Sequence, residues 1–319
     1  MVTEVQRRKL TSSTEEGVEL LYGDNQQQLN TSGSSGKRLY TWDEIPVWQH
    51  DNEYIYTGYV RETNSMKESF LSLFYIHNES VNIYTHLIPA FCFLSMLLFN
   101  TYGVKPHPTT TYGDYVAIDL FFIGAFTCLG LSSTFHCFKS HSLKISVFGN
   151  KLDYLGIVIL ISTSLISVLY FGYHDDPFIF YIFSGITLCF GIACGIASLK
   201  DKFRTREWRP YRAALFVLFG LSGVLPIIAG IMKYGIREVF ERVQLKWIIW
   251  EGVLYIFGAF LYGARFPEKF MPGKVDIWGQ SHQIFHVLVV IAALCHLRGL
   301  IGSYELVHQK LDAQLQSIT

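Results

Sequence analysis

An all-α membrane protein, a bundle of seven transmembrane helices, is the fold class that this sequence predicts, on three observations. Half of its 319 residues are hydrophobic. The apolar runs are too long and too free of charge for the core helices of a soluble protein. Several of them have the length that a hydrocarbon layer demands, about 20 helical residues for about 30 Å. In lipid each backbone group must be satisfied within its own helix, so repeated apolar runs mean a helical bundle. The formal net charge is zero, and no nucleic-acid partner is expected.

The elements follow in order. Residues 1–38 are rich in Gln, Ser, Gly, Glu and Thr, hold too little apolar surface to offset ordering, and read as a disordered cytoplasmic N-terminus. They contain no apolar h-region, so no cleavable signal peptide is expected. Residues 39–81 read as a juxtamembrane amphipathic segment, a short cap in which Tyr40, Trp42, Ile45, Trp48, Tyr54, Ile55, Tyr56 and Tyr59 alternate with charges. The transmembrane domain covers 82–302, with spans near 82–101, 115–137, 152–172, 177–199, 212–232, 246–264 and 281–302. The sixth is read as the shortest and least secure. Residues 303–319 remain as an extracytoplasmic tail. Pro226 is expected to kink the fifth span and open internal space.

Orientation comes from Lys and Arg in the connections. Loop two carries Lys139, Lys144 and Lys151; loop four carries Lys200, Lys202, Arg204, Arg206 and Arg209; loop six carries Arg265, Lys269 and Lys274. Loop one has only Lys105, and loop three has Asp175 and Asp176. Loop five dissents with Lys233, Arg237, Arg242 and Lys246. The even loops outweigh it, which puts the N-terminus in the cytoplasm and the C-terminus outside or in a lumen. The six cysteines form no C-x-x-C pair and read as small buried apolar residues.

That topology gathers a polar constellation at one depth. His136 ends the second span, Asp153 begins the third, and His282 and His286 begin the seventh, all at the cytoplasmic end. His282 and His286 are i and i+4, one turn apart on one helix face, so both imidazoles can reach one ion. Ser132 stands one turn before His136 on the same stripe. Three imidazoles plus a carboxylate or water suit a tetrahedral zinc ion. Each residue has an ordinary reading as well: an interfacial His can cap a helix, Asp153 can pair with Lys151 or cap, and Ser132 can bond its own helix. Their convergence favours the metal, because ionisable groups inside membrane helices are costly. Glu79, Asn82 and His86 enter the first span at the same side. Glu79 and Asn82 are read first as a helix N-terminal cap, with the helix dipole favouring Glu79 there, and His86 is left open. Asp119 and Glu251 are placed toward the opposite side, outside the site.

The runs HNESVNIYTH (77–86), Ser132-x-x-x-His136, NKLDYLG (150–156) and SHQIFH (281–286) resemble the progestin and adiponectin receptor family, also described as haemolysin-III-related. The resemblance covers about Leu39 to His308. Within that family the chain looks most like the fungal Izh group of zinc-homeostasis proteins, through YTWDEIPVWQ and RFPEKFMPGKVDIWG. It implies seven helices with a cytoplasmic N-terminus, zinc held by His136, His282 and His286, and catalytic roles for Asp153, at the zinc-bound water, and for Ser132 beside it. It also implies a role in lipid (sphingolipid or sterol) and zinc homeostasis, in the endoplasmic reticulum or plasma membrane.

Three function classes compete. The first is a zinc-dependent hydrolase of a lipid amide such as ceramide, with the lipid or a fatty acid in an intramembrane cavity. The second is a receptor with a structural zinc ion, reading an extracellular protein ligand of the plant-defence type through short outer loops. The third is a zinc transporter, the weakest, since the ligands sit at one end and no internal repeat is visible.

Overall fold

The computed structural model describes residues 38–99 and 104–317, the side chains of Arg204 and Arg206 aside. The N-terminal segment read as disordered therefore lies outside the described residues, Arg38 excepted. The chain divides into Met1–Arg38 and Leu39–Thr319, and the second unit is the one described below.

The described residues form ten α-helices, which we number in chain order. They are α1 (Met66–Leu71), α2 (Ser80–Leu98), α3 (Tyr112–Phe138), α4 (Leu143–Gly172), α5 (Pro177–Ser198), α6 (Arg209–Leu221), α7 (Val224–Tyr234), α8 (Ile236–Arg242), α9 (Leu245–Ala264) and α10 (Ser281–Gln316). Seven spans are long and apolar enough to cross a membrane: α2, α3, α4, α5, the pair α6–α7, α9 and α10. No β-strand occurs among the described residues, only an isolated bridge between Tyr40 and Tyr59. Large apolar side chains such as Phe178, Ile192, Met232 and Phe260 are exposed on the outer faces of the helices. Such surfaces suit lipid and would be a liability in water. The chain is an integral, multi-pass membrane protein.

Several bounds differ from those expected. The third span begins at Leu143, because Ser142 ends the short connection and the helix continues past the polar Lys144, Asn150 and Lys151. The seventh runs on to Gln316, so the residues read as a tail continue the helix. Its extension is held by loop one: Tyr304 Oη meets Thr110 Oγ1 at 2.7 Å, and Asp312 accepts from Thr109 at 2.7 Å and pairs with His107 at 2.9 Å. The first span, with 19 residues, is the shortest, while the sixth is the least apolar. The fifth breaks at Ser222–Gly223, just before Pro226. Proline there lacks the N–H that would bond the Ser222 carbonyl. The Ser222 carbonyl accepts from the Leu225 N–H at 3.1 Å, and Tyr173 Oη donates to the Pro226 carbonyl at 2.5 Å.

Small residues set how closely helices approach, as is common in membranes. A Cβ on Gly124 of α3 would strike Thr163 of α4, and one on Gly156 of α4 would lie 3.0 Å from the Cys128 Cα of α3. Around this contact the fully buried Phe93, Ile118, Phe121, Leu129, Phe171 and Leu300 form the core. All six cysteines are free; Cys92 and Cys189 are exposed on their helices, in contrast to the expected burial.

The segment before α2 folds over one end of the bundle. Trp42 stacks on His50, with ring centroids 4.0 Å apart. Thr57 donates to Asp276 through its N–H (2.8 Å) and its hydroxyl (2.7 Å), and Asn52 donates to Glu268 at 3.1 Å. Glu268, fully buried, in turn accepts from the Ser281 N–H at 2.7 Å and from its hydroxyl at 2.5 Å. A carboxylate thus satisfies the first N–H of α10, one of the donors a helix N-terminus otherwise leaves unpaired. This fixes the first turn of α10, where His282 stands, one turn before His286.

Candidate metal centre

His136 lies in the last turn of α3, and His282 and His286 in the first two turns of α10. Their ligand nitrogens all come within 4.8 Å of one another. Ring centroids are 4.9, 4.9 and 4.7 Å apart, with the planes 75°, 76° and 87° to each other. Three mutually steep imidazoles can aim three nitrogens at one point.

What turns two of them that way comes from the start of α2. His136 Nδ1 is 2.8 Å from Glu79 Oε2, and His286 Nδ1 is 3.0 Å from the Asn82 carbonyl. Both partners accept, so each Nδ1 carries the proton and each Nε2 is left with its lone pair. His136 Nε2 is buried with no hydrogen-bond partner. Such an orphan is costly unless something completes it. A metal ion fits this donor set, and carboxylate or carbonyl partners behind ligating histidines are its usual support.

Glu79 is therefore no helix cap by its side chain, which makes no capping bond. It accepts from Lys139 Nζ at 2.6 Å and from Asn82 Nδ2 at 2.7 Å. Burial pushes its carboxyl up, but the Lys139 ammonium and His136 outweigh this and hold it well below the usual carboxylate range. Lys139 also meets Asp51 of the cap segment at 3.4 Å, and Arg209 reaches the same carboxylate at 3.4 Å. His86 stacks on His286, centroids 3.7 Å apart and planes 2° apart. Its Nε2 lies 3.3 Å from the His286 carbonyl. Glu79, Asn82 and His86 thus all back the histidines.

Ser132 and Asp153 are both buried beside this group and line one cavity. The close approach of α4 to α3 at Gly156 brings Asp153 toward His136. Asp153 is not part of the three-nitrogen group but lines the same cavity as His282 and His286. That cavity, about 830 Å³, runs between α4, α6–α7, α9 and α10 and is mostly apolar. Such a volume lies within the range of small-molecule and lipid-chain sites. Glu251, placed by the sequence away from the site, lines the same cavity and pairs with His296 at 2.9 Å.

The sequence alone did not point to Lys139, Asp51 or Arg209. The i+3 spacing of Lys139 from His136 was the available signal for the first; nothing local announces the other two.

The haemolysin-III-related family model matches residues 74–297. The chain belongs to this family. It is 63% identical over 276 residues to the ADIPOR-like receptor IZH2 of Saccharomyces cerevisiae, covering 86% of this chain and 87% of that one. Identity is 50% over 270 residues to the ADIPOR-like receptor IZH1 of Eremothecium gossypii, covering 84% and 85%. With the adiponectin receptor protein of Drosophila melanogaster it is 38% over 282 residues, covering 87% of this chain and 63% of that protein. Both ends of the candidate site, from Glu79 to His286, fall inside the family match.

Proposed function

We propose that this chain is an adiponectin-receptor-like membrane protein of lipid and zinc homeostasis whose bundle hydrolyses a lipid amide of the ceramide type. One observation carries the reading: a three-histidine group opens into an apolar cavity beside a buried carboxylate. His136, His282 and His286 would hold a zinc ion, and nitrogen donors with no thiolate among them suit that metal. When bound, zinc supplies Lewis acidity toward a carbonyl and toward water.

The chain's own groups do the rest. Asp153 takes a proton from the attacking water and returns it to the departing amine nitrogen as the amide C–N bond breaks. The products are a fatty acid and a sphingoid base. Ser132, which lines the cavity with Asp153, is the hydroxyl that would donate to the developing oxyanion. The cavity wall excludes water from the acyl chain. Lys139 and Glu79 hold His136 in place.

A second reading, a ligand-sensing receptor with a structural metal, is supported by the receptor names of the relatives. Zinc transport has the least support, since the histidines cluster at one end. The test is release of sphingoid base from ceramide by the purified, zinc-loaded protein, followed by mass spectrometry. Activity in the wild type and none in His282→Ala supports hydrolysis. No release by a protein shown to contain zinc, or equal release by the variant, sinks it.

A further inference from the structure

The cavity has a second polar station far from the histidine group. Glu251 of α9 and His296 of α10 both line it, and His296 Nδ1 lies 2.9 Å from Glu251 Oε2. His296 follows His286 by ten residues on one helix, about 15 Å along the axis. On α9, Glu251 precedes Tyr262 by eleven residues, about 16 Å. Tyr262 packs on His282 with centroids 5.0 Å apart. Two helices thus place the pair independently at the same depth, well inside the span.

Joining α9 to α10 does not require such a pair. The two helices already close on each other where Gly258 meets Phe285 and Leu288, and where Gly299 meets Trp247. A carboxylate at this depth is costly, and intramembrane ionisable groups ordinarily mark a ligand or ion path. His296 is 3% exposed and packs against Phe121, centroids 4.5 Å apart, so its ring is fixed. Glu251 is more open at 14%, with one oxygen taken by His296 and the other left to accept. Tyr255 stands one turn nearer the metal centre on the same stripe and also lines the cavity.

We propose that Glu251, held by His296, is a hydrogen-bond acceptor for a hydroxyl carried partway along the acyl chain of a lipid whose polar end sits at the histidine group. An extended acyl chain advances per bond about as far as an extended polypeptide backbone does, so about 15 Å corresponds to about a dozen bonds. The favoured ligand class is a mid-chain hydroxylated long-chain acyl lipid. This rests on the reading of the cavity as an acyl-chain site but needs no hydrolysis.

The experiment is displacement of a fluorescent fatty acid from the purified full-length protein by stearate, 2-hydroxystearate and 12-hydroxystearate. The wild type should bind 12-hydroxystearate about tenfold more tightly than the other two, the effect of one hydrogen bond to a charged acceptor. Glu251→Leu should bring that ratio close to one, and His296→Phe should lower it. Equal affinities in the wild type overturn the proposal before any variant is made, and so does a ratio that survives Glu251→Leu. Because binding alone is read, failure here leaves ceramide hydrolysis standing, and failure of hydrolysis leaves this result interpretable.

Discussion

Glu79, the residue just before the first span, hydrogen-bonds Nδ1 of His136 at the end of the second, at 2.8 Å. The bond fixes the imidazole's tautomer and rotation and makes its outward nitrogen a stronger donor. The same carboxylate is held by Lys139 and Asn82, so it is itself immobile.

Replacing that carboxylate should loosen metal binding more than the fold. Glu79→Gln is expected to lower zinc affinity about 10–100-fold, the usual effect of losing a partner behind a ligating histidine. Competition with a chelator of known affinity measures it; an unchanged affinity would show that Glu79 serves only Lys139.

Asp153→Asn separates catalytic from structural metal. The variant should keep its zinc by metal analysis while its hydrolysis falls about 10²–10⁴-fold, the range for a lost general base. Full activity in this variant would remove Asp153 from the mechanism. Loss of zinc would make it a ligand.

The α3–α4 contact should tolerate no added volume at Gly124. Its Cβ would meet Thr163, whose hydroxyl is already bonded to the Ile159 carbonyl at 2.9 Å and is not free to swing. Gly124→Val should destabilise the bundle by about 1–3 kcal/mol, as overpacking does. Thermal unfolding in detergent reports it, and an unshifted midpoint would mean that the helices separate easily there.

For orientation, we expect the metal end to face the cytoplasm. Two of the four basic residues of loop five are paired beside it: Lys233 with Asp176, and Arg242 with Asp175 at 2.7 Å and Glu238 at 2.8 Å. Those charges are matched locally by loop three and by loop five itself. A C-terminal tag should then resist protease added from the cytoplasmic side of sealed membranes, and cleavage there would reverse the topology.

The spans were legible because burial in lipid is a local property, readable from a run of about 20 apolar residues. The spacing of His282 and His286 was legible for a similar reason, since one turn of helix sets it. The end of the seventh span was not. Tyr304 and His308 extend it by docking on loop one, and polar residues with distant partners look like tail in the sequence. Glu79 does hold the N-cap position of α2, but the sequence did not reveal that its side chain serves His136, 57 residues on.

By itself the sequence determined seven membrane-spanning helices, and it brought three histidines and an aspartate to one end. Only the tertiary structure decided which groups touch: Glu79 with His136, Asn82 with His286, and Glu251 with His296 across 45 residues. The reason is physical. Hydropathy fixes where a helix lies in the bilayer, but its rotation and exact depth are set by packing against neighbours. Side-chain pairs a few ångströms apart depend on both.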